Sequence, residues 1–314
     1  MDNQLELITY EKIRHVKIFV NNITYRTFHT HNAFELLCML SGKSAVVTVQ
    51  GEKIEMQKGD ITLINPHQVH DIFAKDNNGA QFLIVQISRH FMQEYLPQLR
   101  ITVFYENFIS AIMTRKTRSE LWAALLALSD EYFETGKSNT LFILWKVLEV
   151  LNIVASNVNA QYFSEQQYLE HKNTVARITR ITEYIDKNYQ FRISLDDIAE
   201  SEQITANYVS QFFTKYIGVP FQKYLNNVRL EAALRLLQDK SLSLTQVADY
   251  AGFSDAKYMS EIFRQNFNCT PRDYRKNNTS TMPAIGKGDH NTEFIYSNTQ
   301  SKAILEREMP SLLS

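Results

Sequence analysis

Cysteine, proline and glycine are all scarce in this 314-residue chain, at 2, 6 and 9 residues. The two cysteines, Cys38 and Cys269, lie far apart, so no disulfide framework is expected and a reduced setting fits. Glycine and proline stand at about 3% and 2%, below typical usage of about 7% and 5%; this excludes collagen-like or low-complexity character and leans toward helix. Charge of one sign is also missing, the net being −1. Even the most basic stretch, 174–277, holds only 14 Lys/Arg against 12 Asp/Glu, so charge alone does not announce a nucleic-acid partner. No uninterrupted membrane-length apolar run occurs: Leu141 to Ala155 is broken by Lys146, Glu149 and Asn152, whereas a span needs about 20 apolar residues. The first six residues, Met1 to Glu6, are acidic and lack the basic and apolar regions of a secretory signal. A soluble cytoplasmic protein, away from membranes, is expected.

What is present is ample core material, with 44% apolar and 21% charged residues, and enough length for two domains. The first ninety residues read as short strands. Ser44 to Val49 is a β-branched run closed at Gly51; Ile54 and Met56 then alternate with Lys53 and Glu55 up to Lys58-Gly59-Asp60. Further apolar runs, Ile61 to Ile64 and Phe82 to Ile87, keep a turn signal about every ten residues, as in an antiparallel sandwich or barrel. From about residue 91 the period becomes helical. Leu121, Leu125, Leu128 and Tyr132 form one stripe, with Ser119 as N-cap, and Leu141 to Val154 is apolar on more than one face, as a helix that is buried or shared with a partner chain would be. Residues 156–174 are polar and read as a linker. The tail, 278–314, is rich in Asn, Thr and Ser and is expected to be disordered.

Residues 175–277 carry an internal repeat at an offset of fifty: Tyr208/Tyr258, Ser210/Ser260, Phe213/Phe263 and Tyr224/Tyr274. In the first copy, Ser194 with Asp197 resembles a capping box that opens a short helix, and a turn follows at Glu202-Gln203. Thr205 caps the next helix, which buries Val209, Phe212, Phe213 and Tyr216 and ends at Gly218. Short helix, tight turn and one-sided helix describe a helix-turn-helix. The outer face, Asn207, Ser210, Gln211 and Thr214, has medium side chains able to donate and accept, as reading base edges requires. The second copy repeats the plan with Ser243/Gln246 as capping box and Lys257, Ser260, Glu261 and Arg264 outward. A helix from Pro220 to about Gln238 would hold the two reading helices roughly 28 Å apart, near the ~34 Å between successive major grooves on one side of B-DNA.

Residues 175–277 resemble the DNA-binding domain of AraC/XylS-family transcription regulators. The resemblance rests on the tracts Gly218 to Leu225, Arg229-Leu230-Glu231-Ala232-Ala233, Val247 to Phe253 and Thr270 to Arg275. It implies base contacts from Asn207, Ser210, Gln211, Ala256, Lys257, Ser260 and Glu261, with Lys215, Arg264, Arg275 and Lys276 on phosphates. Double-stranded promoter DNA and RNA polymerase are the implied macromolecular partners, and the 119–154 helices serve dimerisation, so a homodimer is expected.

In the N-terminal half, His29-x-His31-x3-Glu35-x6-Gly42, then Gly59-Asp60, Pro66 and His70, is similar to the first cupin motif and in part to the second. Where metal-binding cupins place a glycine two residues after the proline, this chain has Gln68. Three readings stand side by side: a divalent metal centre, a pocket for a small polar effector, or hydrogen-bonded structural groups. Regulatory domains of the resembled family are cupin-like and bind sugars or related metabolites. The expectation is therefore an α+β chain: a cupin-like sensor at 1–165 binding a small-molecule effector such as a sugar through His29, His31, Glu35 and His70, then a double helix-turn-helix at 175–277. It would be a transcription activator without catalytic residues, cofactor or metal. The rival is a metal-dependent cupin enzyme fused to a DNA-binding domain.

Overall fold

The computed structural model describes residues 13–75, 78–96, 102–134, 139–162, 165–237, 239–267, 269–277 and 292–313. The chain runs through β1 (Val16–His29), β2 (Ala33–Ser41), β3 (Ala45–Val49), β4 (Glu52–Met56), β5 (Ile61–Ile64), β6 (His70–Ala74) and β7 (Ala80–Ser88). Next come α1 (Arg89–Tyr95), β8 (Thr102–Phe104), α2 (Ile109–Ile112), α3 (Arg115–Phe133), α4 (Thr140–Asn157) and β9 (Ala160–Tyr162). The helical region follows as α5 (Glu165–Asn188), α6 (Leu195–Glu202), α7 (Ala206–Phe212), α8 (Phe221–Leu236), α9 (Leu244–Tyr250), α10 (Ala256–Phe267) and α11 (Pro271–Asn277). Last are β10 (Thr292–Ile295) and α12 (Asn298–Leu312).

Eight strands form one antiparallel sheet, seven of them in the order β4-β3-β6-β1-β7-β2-β5 and the eighth, β10, paired to β1, rolled into a nearly closed barrel. Alternation along β2 shows why it is two-sided. Leu37 and Met39 enter the barrel interior with Val47, Ile72, Phe82 and Ile84, whereas Leu36, Cys38 and Leu40 pack outward among Trp122, Leu125 and Val147 of α3 and α4. The 14-residue β1 pairs β7 along one edge; along the other it pairs β10 at Asn21–Tyr25 and β6 at Tyr25–His29, with register shifts that bend it.

The tail is a correction to the sequence reading. Far from being disordered, 292–312 adds a strand to the barrel edge and lays α12 on α3, burying Ile304, Leu305 and Leu312 in the barrel's outer core. Composition alone hid this, because three well-spaced apolar residues suffice when a groove waits for them. The rest of the expected disordered tail, 278–291, lies outside the described residues. Two smaller differences concern helix starts. Thr114, not Ser119, caps α3, and the supposed linker is helical from Glu165 onward. α4 is long and apolar enough by composition to span a membrane, but its Ile143, Val147, Val150 and Val154 pack against the barrel's helical layer.

Both helix-turn-helix units have the expected caps. The Ser194/Asp197 and Ser243/Gln246 boxes are reciprocal, and Thr205 accepts from the Tyr208 N–H. α7 continues through one π-helical turn, Phe213–Ile217, and stops at Gly218 in the left-handed region. The second unit is tied to the end of α5 at one point. Arg229 donates to the Tyr189 and Phe191 carbonyls at 2.9 and 2.8 Å, and Gly252, at φ 82°, lies so close that a Cβ would fall 2.3 Å from the same Tyr189 oxygen. Gly252→Ala is therefore expected to cost about 2–5 kcal/mol, from left-handed strain and forced displacement together. An unchanged urea midpoint would show that α9 can retreat freely.

α8 was expected as a rod holding the two reading helices apart. It is instead buried nearly all round, because the barrel packs on the side that the helix-turn-helix units leave open. Phe28 of β1 stacks on Tyr224 with centroids 5.7 Å apart, and Tyr25 and Phe73 meet Phe267 of α10 at 5.9 and 5.6 Å.

Candidate effector pocket and nucleic-acid interface

The expected barrel residues do converge. His29 closes β1 directly opposite His70 at the start of β6. His31 lies just past the end of β1, and Glu35 is on the inward face of β2, in register with Gln86 of β7. All four are buried. The His31 Nε2 lies 3.0 Å from Glu35 Oε2, and His70 Nε2 lies 3.6 Å from Glu35 Oε1. One ring nitrogen from each of His29, His31 and His70 lies within 4.8 Å of the others, so this trio could hold a metal ion.

Electrostatics follow from the burial. Loss of water pushes the His29 ring well below the usual histidine range, helped by Arg26, His70 and His31. Burial alone would raise the Glu35 carboxyl, but the His31 and His70 rings override it and hold it well below the ordinary carboxylate range. The arrangement is a dry anionic oxygen beside ring nitrogens, suited to a hydroxyl-bearing ligand or a cation.

Two residues that the sequence reading did not assign to the site adjoin it. Gln86 donates to Glu35 Oε2 at 2.8 Å; its signal was a lone amide inside the apolar run Phe82 to Ile87. Gln68, the departure from the cupin pattern, accepts from the Asn65 backbone at 2.8 Å and from Asn107 at 2.7 Å and donates to Gln50 at 3.0 Å. Gln50 in turn reaches the Tyr216 carbonyl at 3.5 Å, beyond the barrel.

On the helical side, Asn207, Ser210, Gln211 and Thr214 of α7 are all exposed, as are Lys257, Glu261 and Arg264 of α10. Ala256 and Ser260 are half-buried, and the Ser260 hydroxyl donates back to the Ala256 carbonyl at 2.7 Å, which leaves its lone pairs for accepting. Lys215 lies over the Tyr216 ring, and Lys276 is exposed. Arg275 departs from expectation. It donates to the Leu237 and Leu242 carbonyls at 3.1 and 2.8 Å, fastening α11 under the end of α8, and is not free for a phosphate.

Comparison with known proteins now bears on the same two regions. The AraC-like ligand binding domain matches residues 18–149, over the barrel and its helices, and a helix-turn-helix domain matches residues 198–277. The chain belongs to the AraC family of transcription regulators. It is thus a DNA-binding regulator with a ligand-binding domain. Among AraC-family relatives, it is 24% identical over 269 residues to the uncharacterized HTH-type transcriptional regulator YdeC of Bacillus subtilis (strain 168), covering 81% of this chain and 88% of that one. It is 36% identical over 96 residues to the uncharacterized HTH-type transcriptional regulator YijO of Escherichia coli (strain K12), covering 31% and 34% of the two chains. The HTH-type transcriptional activator RhaS of Escherichia coli O139:H28 is 32% identical over 113 residues, 36% of this chain and 40% of that one. The last two matches take in well under two thirds of those relatives.

Proposed function

We propose that this regulator is a cytoplasmic, homodimeric activator that binds a small polar effector, such as a sugar, at His29, His31, Glu35 and His70. In this reading 1–165 is the sensor and 175–277 reads promoter DNA through Asn207, Ser210 and Gln211 and through Ala256, Lys257, Ser260 and Glu261. RNA polymerase is then the partner recruited, and no residue is catalytic. The assignment as activator follows the RhaS relative. The homodimer is supported by α4, whose Leu141 and Trp145 are 78% and 56% exposed; a second copy would cover them.

One observation carries the reading. On β1, His29 joins the buried cluster with His31, His70 and Glu35 while its neighbour Phe28 lies against Tyr224 of α8, and on the facing side His70 adjoins Val69, which packs into the same helical core. A ligand that changes the His29/His70 end of the barrel therefore changes the seat of the DNA-binding helices. An effector can shift occupancy only by favouring one of two such arrangements.

Selecting bound duplexes from a random pool, with and without candidate sugars, tests both halves. A recovered motif whose enrichment changes with one sugar is the expected result, and no enriched motif under either condition would sink it. On that motif, Gln211→Ala should weaken binding by about 1–3 kcal/mol and relax one base position. An equal loss on scrambled duplex would remove the base-reading role.

A further inference from the structure

A cleft of about 850 Å³ lies outside the barrel, between the Lys58-Gly59-Asp60 turn, the first two turns of α3 and the end of α12 at Ser311 to Leu313. It shares no lining residue with the histidine cluster or with the reading faces of α7 and α10. We propose that this cleft binds a small organic phosphate, held by Arg115 and Arg118 with Lys58, as an input separate from the barrel's effector.

The first argument is which face of α3 meets the cleft. Arg115, Arg118, Ser119 and Trp122 stand at i, i+3, i+4 and i+7, a single helical face, and all four line it. From Leu121 and Trp122 onward the inward residues of α3 are apolar and buried, whereas the same face one and two turns earlier is cationic. An ordinary solvated face looks out on bulk water. This one looks into a concave volume within the ~300–1,000 Å³ range of small-molecule sites. The wall opposite is well seated: the Trp122 indole donates to the Gly59 carbonyl at 2.9 Å, and Leu312 of α12 lies beside Gly59.

The second argument is charge. Four cations, Lys58, Arg115, Lys116 and Arg118, line the cleft against two carboxylates, Asp60 and Glu120. Both carboxylates are engaged: Asp60 accepts from the Gln57 N–H at 2.8 Å, and Glu120 lies 3.9 Å from Lys116 at the exposed rim. Lys58 pairs with Glu308 of α12, but Arg307 shares that carboxylate at 2.8 Å. Arg118 is half-buried and has no hydrogen-bond or ion-pair partner among the described residues. Like charges gathered in a concave site repel one another, and an anion between them turns that repulsion into attraction. Guanidinium groups match phosphate oxygens bidentately, and a phosphate dianion balances the excess of two positive charges where a monocarboxylate leaves one. Leu312, Leu313 and Trp122 give the organic part an apolar wall. Because α3 and α12 both line the cleft, a bound anion also favours the seated form of α12.

The test titrates full-length protein with phenyl phosphate and with benzoate at constant ionic strength. Calorimetry is read on the wild type, and fluorescence on Trp145→Phe, which leaves Trp122 as the sole indole of the two in the chain. One phenyl phosphate per chain, a Trp122 signal that saturates with it and a Tm that rises with its concentration are expected. Arg115→Ala and Arg118→Ala should each weaken binding about 10–100-fold. No saturable binding of phenyl phosphate overturns the proposal, as does an affinity unchanged when both arginines are replaced. Benzoate bound as tightly as phenyl phosphate overturns the choice of a dianion. A double variant that loses affinity for random-sequence duplex, from a wild type indifferent to phenyl phosphate, assigns the cleft to the DNA backbone instead. Neither arginine is buried, so an unliganded Tm equal to the wild type's is expected and shows that the variants fold.

Discussion

Deleting residues 292–314 is expected to lower the melting temperature of the barrel by roughly 15–30 °C, or to leave it insoluble. Ile304, Leu305 and Leu312 are buried in the core between sheet and helices, and each such side chain contributes about 1.5–3 kcal/mol. Together they reach roughly 5–9 kcal/mol, a large part of a domain's usual margin of about 5–15 kcal/mol. For a domain of this size 1 kcal/mol moves Tm by about 2–4 °C. The deletion also uncovers the β1 edge at Asn21–Tyr25 and breaks the buried Arg26–Glu293 pair at 3.2 Å and the Lys302 contacts to Glu134 and Asp130 at 2.8 and 3.3 Å. Bare strand edges promote association, so aggregation should accompany the loss. Circular dichroism melts of the two lengths decide it. Equal melting would mean that β10 and α12 are passengers on a barrel complete without them.

Glu231→Gln should raise Tm at pH 8 and change little near pH 4. This carboxylate is buried in α8 with neither oxygen hydrogen-bonded; Arg235 lies 3.6 Å away on the same helix. The charges of Asp186 on α5 and Arg26 on β1 act on it in opposite directions. Burial dominates and pushes the carboxyl up to about 8. Because the folded state holds the proton more tightly than the unfolded chain, Glu231 contributes its full stability below about pH 4.5. That contribution fades as pH rises to about 8, a loss of roughly 5 kcal/mol at most. The amide cannot ionise, so the variant should keep a flatter profile between pH 5 and 8. Parallel Tm–pH curves for the two proteins would show that the carboxylate is solvated or paired when the protein is ionised. Asp71, raised by burial to about 6 beside the Thr48 N–H, adds a smaller slope of the same sign at lower pH.

Legibility followed the range of the physics. The paired capping boxes at Ser194/Asp197 and Ser243/Gln246 are three-residue events, and the structure forms both. Resemblance to the cupin motifs marked His29, His31, Glu35 and His70, and the structure brings His70 to the others only through the pairing of β6 with β1. Arg275 was misread for the opposite reason. A basic residue near a helix end looks the same in sequence whether it faces a phosphate or two carbonyls 38 and 33 residues away. Gln86 stood out only in retrospect, since a buried amide has meaning through the carboxylate it meets.

By itself the amino-acid order determined the helix-turn-helix repeat, its polar outer faces and the shared side of His29 and His31, all matters of local hydrogen bonding and of period 2 or 3.6. Tertiary structure alone decided that the C-terminal segment returns to pack on the barrel, that α8 is enclosed nearly all round, that His70 meets His29, and that Phe28 joins the histidine cluster to the helix-turn-helix region. These rest on apolar surfaces meeting across hundreds of residues, and hydrophobic burial is non-directional: a sequence states how much must be covered, and only the packed chain states by what.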